Sequence, residues 1–262
     1  MYSVINTNKK YYLNDKNKKK IDFFHMTKKI NTKLNKLIKY YSLINYNLIY
    51  DNFSINRYKN TSSNMAGDKV TLLVRLKKSI DKIKNCELKK NASNQVFADG
   101  NSNAKIMIVG EGPGANEDKE GIPFVGRAGQ LLDKMLESIS LDRKNVYITN
   151  VVNYRPPENR RPSDKEIEKY LPYLIKHIEI IKPKIILLLG STALNAIIGN
   201  EVVISKARGK WVEKKIGSHS TSIISSFHPA FLMRQPDQKK MAWIDLKMIK
   251  KKISELKIRI DK

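Results

Sequence analysis

Two glycine-rich loops that follow an apolar run are the feature that most constrains how this chain folds. Apolar residues 106 to 109 lead into Gly-Glu-Gly-Pro-Gly at 110 to 114, and a second loop covers residues 121 to 129. An amphipathic segment at 130 to 139 follows directly. A strand that passes through a glycine loop into a helix is typical of open α/β sheets, which bind ligands at this edge. The sequence therefore predicts a binding site here.

Apolar runs and amphipathic segments alternate beyond residue 105. The runs are short and almost continuously apolar, as expected for strands that are covered on both faces. Alternation at this spacing predicts an α/β fold, a three-layer α/β/α sandwich with a central, mainly parallel four-stranded sheet. The strands are predicted at 105 to 109, 145 to 149, 184 to 189 and 221 to 226, and the helices at 69 to 85, 130 to 140, 164 to 181, 191 to 198 and 239 to 257.

Each predicted strand is followed by a distinctive segment. Because the carboxyl ends of parallel strands meet at one edge of a sheet, these segments are expected to converge. Together they offer a carboxylate, an amide, hydroxyls and an imidazole. The segments are Gly110-Glu-Gly-Pro-Gly114, Asn150, Gly190-Ser-Thr192 and Phe227-His-Pro229.

The chain is strongly basic, with 50 Lys plus Arg against 25 Asp plus Glu and a formal net charge of +25. Such a balance favours polyanionic partners such as nucleic acid. The excess is largely Lys, mixed with much Asn, Ile and Tyr, so a low-GC genome is an equally good explanation. No apolar run approaches the ~18 residues of a membrane span, and the N-terminus lacks the apolar core of a signal peptide. We therefore expect a cytoplasmic protein without a membrane partner.

Residues 1 to 65 differ in composition from the rest of the chain. They are rich in Lys, Asn and Tyr and nearly free of Gly and Pro. We predict a basic N-terminal extension that is partly disordered, with one helix near 28 to 45, followed by an α/β domain over residues 66 to 262. Met26 is an alternative start of the chain.

Several separated motifs together resemble one known family. They are the loop around Phe124, the strand end at Asn150, Arg155-Pro-Pro-Glu-Asn-Arg160, Arg208-Gly-Lys-Trp211 and His228-Pro-Ala-Phe-Leu-Met-Arg234. In this order they resemble uracil-DNA glycosylases of family four, over about residues 70 to 250. The resemblance implies a monomeric DNA-repair enzyme that flips uracil out of single- or double-stranded DNA. Such an enzyme uses water to hydrolyse the N-glycosidic bond and leaves an abasic site.

The resemblance also implies which residues bind the base. Phe124 would supply a stacking face, although an aromatic residue is also a common core residue. Asn150 carries a donor and an acceptor on one amide, which suits the N3–H and O4 edge of uracil and mismatches cytosine. Glu117 occupies the position that would crowd the C5 methyl group of thymine. Gly112 belongs to the loop that lines the pocket.

Two further residues are implied in catalysis. His228 lies where similar enzymes place a histidine near uracil O2, from which it would stabilise the departing uracil anion. Glu111 matches the acidic residue that positions water or stabilises positive charge on the sugar. The alternative for Glu111 is a carboxylate that braces the glycine loop.

DNA contacts are expected from basic loops and from an apolar wedge. Phosphate contacts would make binding sensitive to salt, and a wedge would fill the gap left by the flipped base. The predicted phosphate contacts are Arg155, Arg160, Arg208, Lys210 and Arg234, with Arg161 and Lys206 nearby, and the wedge consists of Phe231, Leu232 and Met233.

The chain departs from the family at its iron-sulfur cluster. Relatives hold a 4Fe-4S cluster with four cysteines, whereas this chain has one, Cys86. Ile83, Tyr154 and Tyr170 stand at the other three positions. One thiolate cannot ligate a cluster that needs four. We therefore predict no metal or cofactor, with these three residues filling the volume by apolar packing.

Two other classes of function stay open. A non-catalytic or covalently trapping uracil-DNA-binding protein could share the fold, but the long histidine-containing insertion of the trapping group is missing between Gly126 and Leu131. A nucleotide-binding α/β module would also explain the glycine loop. The combination of Phe124, Asn150 and His228 argues against that module.

Overall fold

The computed structural model describes residues 68 to 199 and 202 to 260. The chain divides into two units, residues 1 to 62 and 63 to 262, and every described residue belongs to the second. The predicted N-terminal extension and its helix at 28 to 45 lie outside the described residues. Among the described helices, none combines the length and apolar character that a membrane span needs.

A six-stranded mixed sheet forms the centre of the domain. Its strands run in the order β1-β3-β2-β4-β6-β5. The central four, β3-β2-β4-β6, are parallel and coincide with the four predicted strands. The strands are β1 (Asp99–Gly100), β2 (Ile106–Gly110), β3 (Val146–Asn150), β4 (Ile185–Leu189), β5 (Trp211–Ile216) and β6 (His219–Ser226).

The α/β prediction is confirmed, but the predicted count of four strands is wrong because two antiparallel edge strands were missed. β1 pairs with β3 over only two residues, too few to give a pattern. β5 forms a hairpin with β6 and carries the charged residues 213 to 215 on an edge that is largely exposed. Edge strands commonly carry charges, which prevent further pairing, so they do not read as apolar runs.

Helices cover both faces of the sheet, as predicted for three layers. Alternate residues of β2 face opposite sides: Met107 and Val109 pack with α1, α2, α5 and α6, whereas Ile106 and Ile108 pack with α4, α8 and α9. Each fully buried Ile or Leu in these layers contributes roughly 1.5–3 kcal/mol. The helices are α1 (Lys69–Asp81), α2 (Glu87–Asn91), α3 (Ala115–Glu120), α4 (Arg127–Glu137), α5 (Asp164–Ile181), α6 (Ser191–Ile197), α7 (Ile204–Ala207), α8 (Pro229–Arg234) and α9 (Lys239–Glu255).

Local capping features account for the starts of three helices. α3 lies inside what the sequence indicated as a loop, and Glu117 stabilises its first turn by accepting from the backbone N–H of Gly114. α4 begins at Arg127, three residues before the predicted start, because Gly126 adopts the extended backbone of an N-cap. α5 begins as predicted, with Ser163 and Glu166 forming a reciprocal capping box.

A buried histidine makes the fold sensitive to acid. His177 on α5 lies in the core against Phe97, and the hydroxyl of Tyr147 is 3.1 Å from its Nδ1 atom. Its Nε2 atom has no hydrogen-bond partner among the described residues. Burial lowers the pKa of His177 from 6.5 to about 3. The ring is therefore neutral in the folded protein.

Acid is expected to destabilise the protein below pH 6.5. Between pH 6.5 and about 3 the unfolded chain binds a proton that folded His177 does not, so the free energy of unfolding falls as the pH falls. One such group gives a slope of about 1.4 kcal/mol per pH unit. Urea titrations at several pH values would measure this slope. The variant His177→Gln, which keeps an acceptor for Tyr147, is expected to have a shallower slope; an identical slope would contradict the prediction.

Candidate active site

Four parallel strands end at one edge and bring the predicted segments together. Gly110 and Asn150 are register partners at the ends of β2 and β3. At the end of β4, Gly190 donates its N–H to the carbonyl of Ser226 over 2.9 Å. A Cβ atom on Gly190 would lie 3.1 Å from Cβ of His228, so the β4 loop lies directly against this histidine. The predicted convergence of these segments is therefore present.

Asn150 presents a buried acceptor without a partner. Its side chain is 3% exposed, and its Oδ1 atom has no hydrogen-bond partner among the described residues. A Cβ atom on Gly110 would lie 2.4 Å from this oxygen and 2.5 Å from Cζ of Phe124, so only glycine leaves room there. An unpaired buried polar atom costs about 1–3 kcal/mol. A ligand N–H placed against Oδ1 would recover that cost.

Phe124 has its ring beside both Asn150 and His228. It is buried and has a positive φ of 56°, which is uncommon for a residue with a side chain. Its ring and the His228 ring are stacked, with centroids 5.6 Å apart and planes inclined by 29°. At this separation the rings pack directly on each other. A base that enters the site therefore has to separate the two rings or stack on a ring face that points away from the other ring.

Arg143 holds the Phe124 loop in this position, and sequence analysis missed it. Its guanidinium donates to the carbonyl oxygens of Pro123 and Phe124 and pairs with Asp99 at 2.7 Å and Asp133 at 2.8 Å. Arg143 lies in a short polar segment before β3, where its sequence context carries no signal. The side chain acts on the pocket only through tertiary contacts.

One hydrogen bond determines which ring nitrogen of His228 is able to donate. His228 caps α8, and its Nδ1 atom accepts from the N–H of Ala230 at 3.2 Å. The proton of the neutral ring therefore lies on Nε2. Burial of the ring, with a smaller contribution from nearby Arg234, lowers the pKa of His228 from 6.5 to about 4, and the negative charge of Glu117 partly opposes this.

Glu111 follows β2 and is bound by a hydroxyl group. The Oγ1 atom of Thr192, a buried residue in the first turn of α6, donates to Oε2 of Glu111. The sequence pattern marks the segment around Thr192 but indicates no role for this residue. One carboxylate oxygen of Glu111 is thus oriented by the loop that follows β4. The other is free of any described hydrogen bond and is available to a water molecule.

Glu117 ties the two glycine loops together. Its Oε2 atom accepts from the N–H of Gly114 at 3.1 Å, and its Oε1 atom accepts from the N–H of Gly126 at 2.8 Å. Both carboxylate oxygens are thus held by backbone N–H groups of the loops. The predicted contact between Glu117 and a thymine methyl group stays a prediction. Gly112 lies where a Cβ atom would approach Cγ2 of Val152 to 2.8 Å, so its role here is close packing of the loop.

Basic residues predicted to contact DNA fall into two groups. Lys210 and Arg234 are exposed, and Arg155 is partly exposed with its Nε atom bonded to Asn159 at 2.8 Å. Arg160 forms a bidentate pair with Glu166, with both N–O distances at 2.7 Å, and this pairing lowers the pKa of Glu166 to about 2. Arg160 therefore already has a structural role in capping α5.

Arg208 and Leu232 do not have the surroundings that their predicted DNA roles require. The Arg208 side chain is 8% exposed and paired with Asp245, so it cannot meet a phosphate without breaking this ion pair. Leu232 is 1% exposed and packs in the core because the segment 229 to 234 forms helix α8 rather than a loop. Phe231 is partly buried against Phe227, with ring centroids 4.9 Å apart. Met233 is partly exposed.

The four positions that the family resemblance assigns to cluster ligands form a packed group on the opposite face of the sheet from α4. The Sγ atom of Cys86 and the hydroxyl of Tyr170 are 3.1 Å apart, and the hydroxyl of Tyr154 donates to Oδ1 of Asp81 at 3.0 Å. Ile83 packs against the same core. The prediction of apolar packing is incomplete, because both tyrosine hydroxyls take part in polar contacts. In residues 68 to 199 and 202 to 260, no group of three or more His, Cys, Asp or Glu side chains could hold a metal ion.

Comparison with known proteins identifies the family of this chain. Residues 97–247 match the family model described as the uracil DNA glycosylase superfamily. The chain is 41% identical to a type-4 uracil-DNA glycosylase of Archaeoglobus fulgidus over 63% of this chain and 84% of the relative. It is 42% identical to that of Sulfurisphaera tokodaii, over 68% and 83%, and 45% identical to that of Thermotoga maritima, over 57% and 77%. The chain therefore belongs to the uracil-DNA glycosylase superfamily, in its type-4 branch.

Proposed function

We propose that this protein is a DNA-repair glycosylase that excises uracil from DNA, releasing free uracil and leaving an abasic site for base excision repair. The relatives named above support the reaction class. The observation that carries the proposal is the unpaired, buried Oδ1 of Asn150 beside the rings of Phe124 and His228. A phosphate-binding module has no use for this arrangement.

Uracil recognition follows from the Asn150 amide. Oδ1 accepts the N3–H of uracil, and Nδ2 donates to O4. Cytosine presents an acceptor at N3 and a donor at N4, so it opposes the amide at both atoms. A site built on buried hydrogen bonds rejects a base that cannot form them, because its polar atoms are then left unpaired. The ring of Phe124 supplies an aromatic face for stacking.

Bond cleavage is divided between His228 and Glu111. As the C1′–N1 bond breaks, its electron pair leaves with uracil, and the negative charge spreads to O2. The Nε2–H of neutral His228 donates to that oxygen and stabilises the anion. The carboxylate of Glu111, oriented by Thr192, holds the water that attacks C1′ and faces the positive charge on the sugar. As the C1′–O bond forms, the water gives a proton to this carboxylate, and the proton then passes through solvent to the uracil anion, so that neutral uracil is released. No step requires a metal or a redox cofactor.

The DNA backbone is bound by exposed cations around this edge. Arg155, Lys210 and Arg234 retain solvent exposure, so each is able to meet a phosphate. We include in the proposal that the enzyme acts as a monomer in the cytoplasm, on uracil in single- or double-stranded DNA. Binding should weaken steeply as salt concentration rises.

An excision assay tests the proposal. A labelled oligonucleotide with one uracil opposite guanine is incubated with the protein, and the products are separated on a denaturing gel with and without alkali. Cleavage at the uracil only after alkali supports a monofunctional glycosylase. An intact strand would refute excision, and a protein-linked strand of reduced mobility would favour a trapping protein. A parallel substrate with thymine in place of uracil tests exclusion of the methyl group.

We also propose that the protein works without the iron-sulfur cluster that the family resemblance implies. Cys86 is the single cysteine, and its thiol is paired with the Tyr170 hydroxyl rather than left open to a ligand. Tyr154 is held by Asp81, and burial, together with this contact, raises the pKa of its phenol. Neutral phenols are poor substitutes for the thiolates that bind iron-sulfur clusters. The four positions therefore do not fit a 4Fe-4S cluster.

Protein purified without oxygen is expected to contain far less than stoichiometric iron and to lack a broad visible absorption band. Its melting temperature should not change when a chelator is added, because the tyrosine rings already fill this part of the core. The matched control is the triple variant Ile83→Cys, Tyr154→Cys and Tyr170→Cys, which restores four thiols and should bind iron after reconstitution. Stoichiometric iron in the unmodified protein would contradict the proposal.

A further inference from the structure

A buried ion pair lies behind the segment that carries His228. Nε of Arg208 is 3.0 Å from Oδ2 of Asp245, and the Nη2 atom of Arg208 donates both to Oδ1 of Asp245 and to the carbonyl of Met241. The Arg208 side chain is 8% exposed, and that of Asp245 is 0% exposed. The guanidinium is thus directed into the domain, away from solvent and from any phosphate.

The same carboxylate also holds the end of β6. Oδ2 of Asp245 accepts from Oγ of Ser226 at 2.7 Å. Ser226 is the last residue of β6 and stands two residues before His228. One aspartate on α9 therefore joins the Arg208 loop to the strand end from which His228 emerges.

Backbone and ring contacts add to this link. The N–H of Gly209 donates to the carbonyl of Ser225 at 3.1 Å, so the Arg208 loop is hydrogen-bonded to β6. Gly209 has a φ of +68°, and a Cβ atom there would lie 2.8 Å from Oδ1 of Asp245. The Arg208 guanidinium also lies over the ring of Phe227, 5.4 Å from its centroid. Phe227 is the residue directly before His228.

An ion pair this deeply buried is weak support for stability. Removing two charges from water costs free energy that their attraction often only offsets, and apolar replacements of such pairs can be neutral or stabilising. A role in positioning is the better explanation here, because each member of the pair contacts a residue just before His228. Asp245 accepts a hydrogen bond from Ser226, and Arg208 lies over the ring of Phe227. A misplacement of about 1 Å at a reacting group can lower a rate by about a hundredfold.

We infer that Arg208 and Asp245 are positioning residues, which set the His228 imidazole against the base pocket through Ser226 and Phe227. This inference rests on the proposed uracil excision. It replaces the phosphate contact that the position of Arg208 in a basic loop suggests. The ion pair stabilises the end of β6 in one conformation. The Nε2–H of His228 is therefore already oriented towards the leaving base before the reaction begins.

The sharpest test removes one hydroxyl and leaves the ion pair in place. Ser226→Ala is expected to lower the single-turnover excision rate by about tenfold while the Kd for abasic product DNA changes less than twofold. The matched control is Ser222→Ala on the same strand, which removes a similar hydroxyl-to-carboxylate bond, 2.6 Å to Glu213, far from the site. This control should keep the rate of the unmodified protein. Equal rates for the two variants would overturn the inference.

A second variant separates positioning from phosphate binding. Arg208→Met keeps most of the side-chain volume and should lower the single-turnover rate with an unchanged salt dependence of DNA binding. If Arg208 instead binds phosphate, the variant will bind DNA more weakly and with a smaller salt slope, at an unchanged rate. That outcome would overturn the inference.

Imidazole NMR separates failure of this inference from failure of the proposed function. The His228 ring signals should move in Ser226→Ala and stay in place in Ser222→Ala, whether or not the protein excises uracil. Unmoved signals in Ser226→Ala would overturn the positioning role. Absence of excision by the unmodified protein, together with moved signals, would instead refute the proposed function and leave the contact to His228 established.

Discussion

Replacement of His228 by alanine is expected to lower the rate of uracil excision by about 10²–10³, the loss seen when one donor to a developing anion is removed. The neutral ring holds its proton on Nε2, because Nδ1 accepts from the N–H of Ala230. Alanine leaves the uracil anion without this donor. Single-turnover kinetics on a uracil-containing duplex would measure the effect on the chemical step, apart from product release.

His219 offers a control for this variant. It lies at the opposite end of β6, where its Nε2 atom is 2.8 Å from the carbonyl of Pro183. His219→Ala removes an imidazole from the same strand without touching the pocket, so its excision rate should match that of the unmodified protein. A loss of less than about threefold in His228→Ala would contradict the assigned role, since a donor of this kind contributes far more.

The pH dependence gives a second measurement on the same residue. Because the pKa of His228 is about 4, the ring stays neutral from pH 8 down to about 5. Its titration should therefore produce no change in kcat/KM near pH 6.5, where an unperturbed histidine would titrate. Below about pH 4.5, protonation of Nδ1 breaks the bond from Ala230. An imidazole NMR titration midpoint near 6.5 would show that the ring is less buried than the structure indicates.

Replacement of Asn150 by aspartate is expected to lower kcat/KM for uracil by about 10³ or more. A carboxylate retains an acceptor for N3–H but turns a second acceptor, instead of a donor, towards O4 of the base. Sites that read a base through buried hydrogen bonds typically discriminate by 10⁴ or more, so loss of one of two bonds with added repulsion is a large effect. Excision rates on matched uracil and cytosine oligonucleotides would give the ratio of kcat/KM values.

Asn153 is the matched control for this substitution. It lies three residues beyond Asn150, is also buried, and donates its amide N–H groups to the carbonyl oxygens of Val96 at 3.0 Å and Phe97 at 3.3 Å. Asn153→Asp should lower the melting temperature, because those bonds are lost. The uracil-to-cytosine ratio of the folded fraction should nevertheless stay unchanged. If the uracil-to-cytosine ratio changed in Asn153→Asp and not in Asn150→Asp, Asn150 would not be the residue that recognises the base.

Residue patterns were sufficient for the central strands and for the residues at their ends. β2, β3 and β4 are short, mostly apolar runs buried along their whole length, which is the pattern that local sequence reports best. β6 is buried from Thr221 to Ser226, but only Ile223 and Ile224 are apolar there. That Asn150 and His228 lie at one edge of the sheet follows from their places at or after the ends of strands, because the ends of parallel strands lie together. The resemblance to family four then supplied roles that spacing alone could not.

The residues whose roles the sequence did not correctly indicate share a different property. Arg208 looks like a phosphate contact because it stands in a basic, glycine-containing loop, yet Asp245, 37 positions along the chain, binds it. Leu232 stands in an apolar segment typical of a wedge, but in helix α8 its side chain packs into the core. Arg143 and Thr192 act on Phe124 and Glu111 over long sequence separations. None of these contacts has a local signature.

Local periodicity and residue chemistry in the chain thus determine the layered α/β fold, the edge where the site lies and the polar groups that meet there. Tertiary packing decides which cations are exposed, which hydroxyl orients Glu111 and which carboxylate holds the segment before His228. The physical reason is that a strand or helix is specified by neighbours a few residues away. A hydrogen bond or ion pair in the core instead depends on which distant groups the fold brings within about 3 Å.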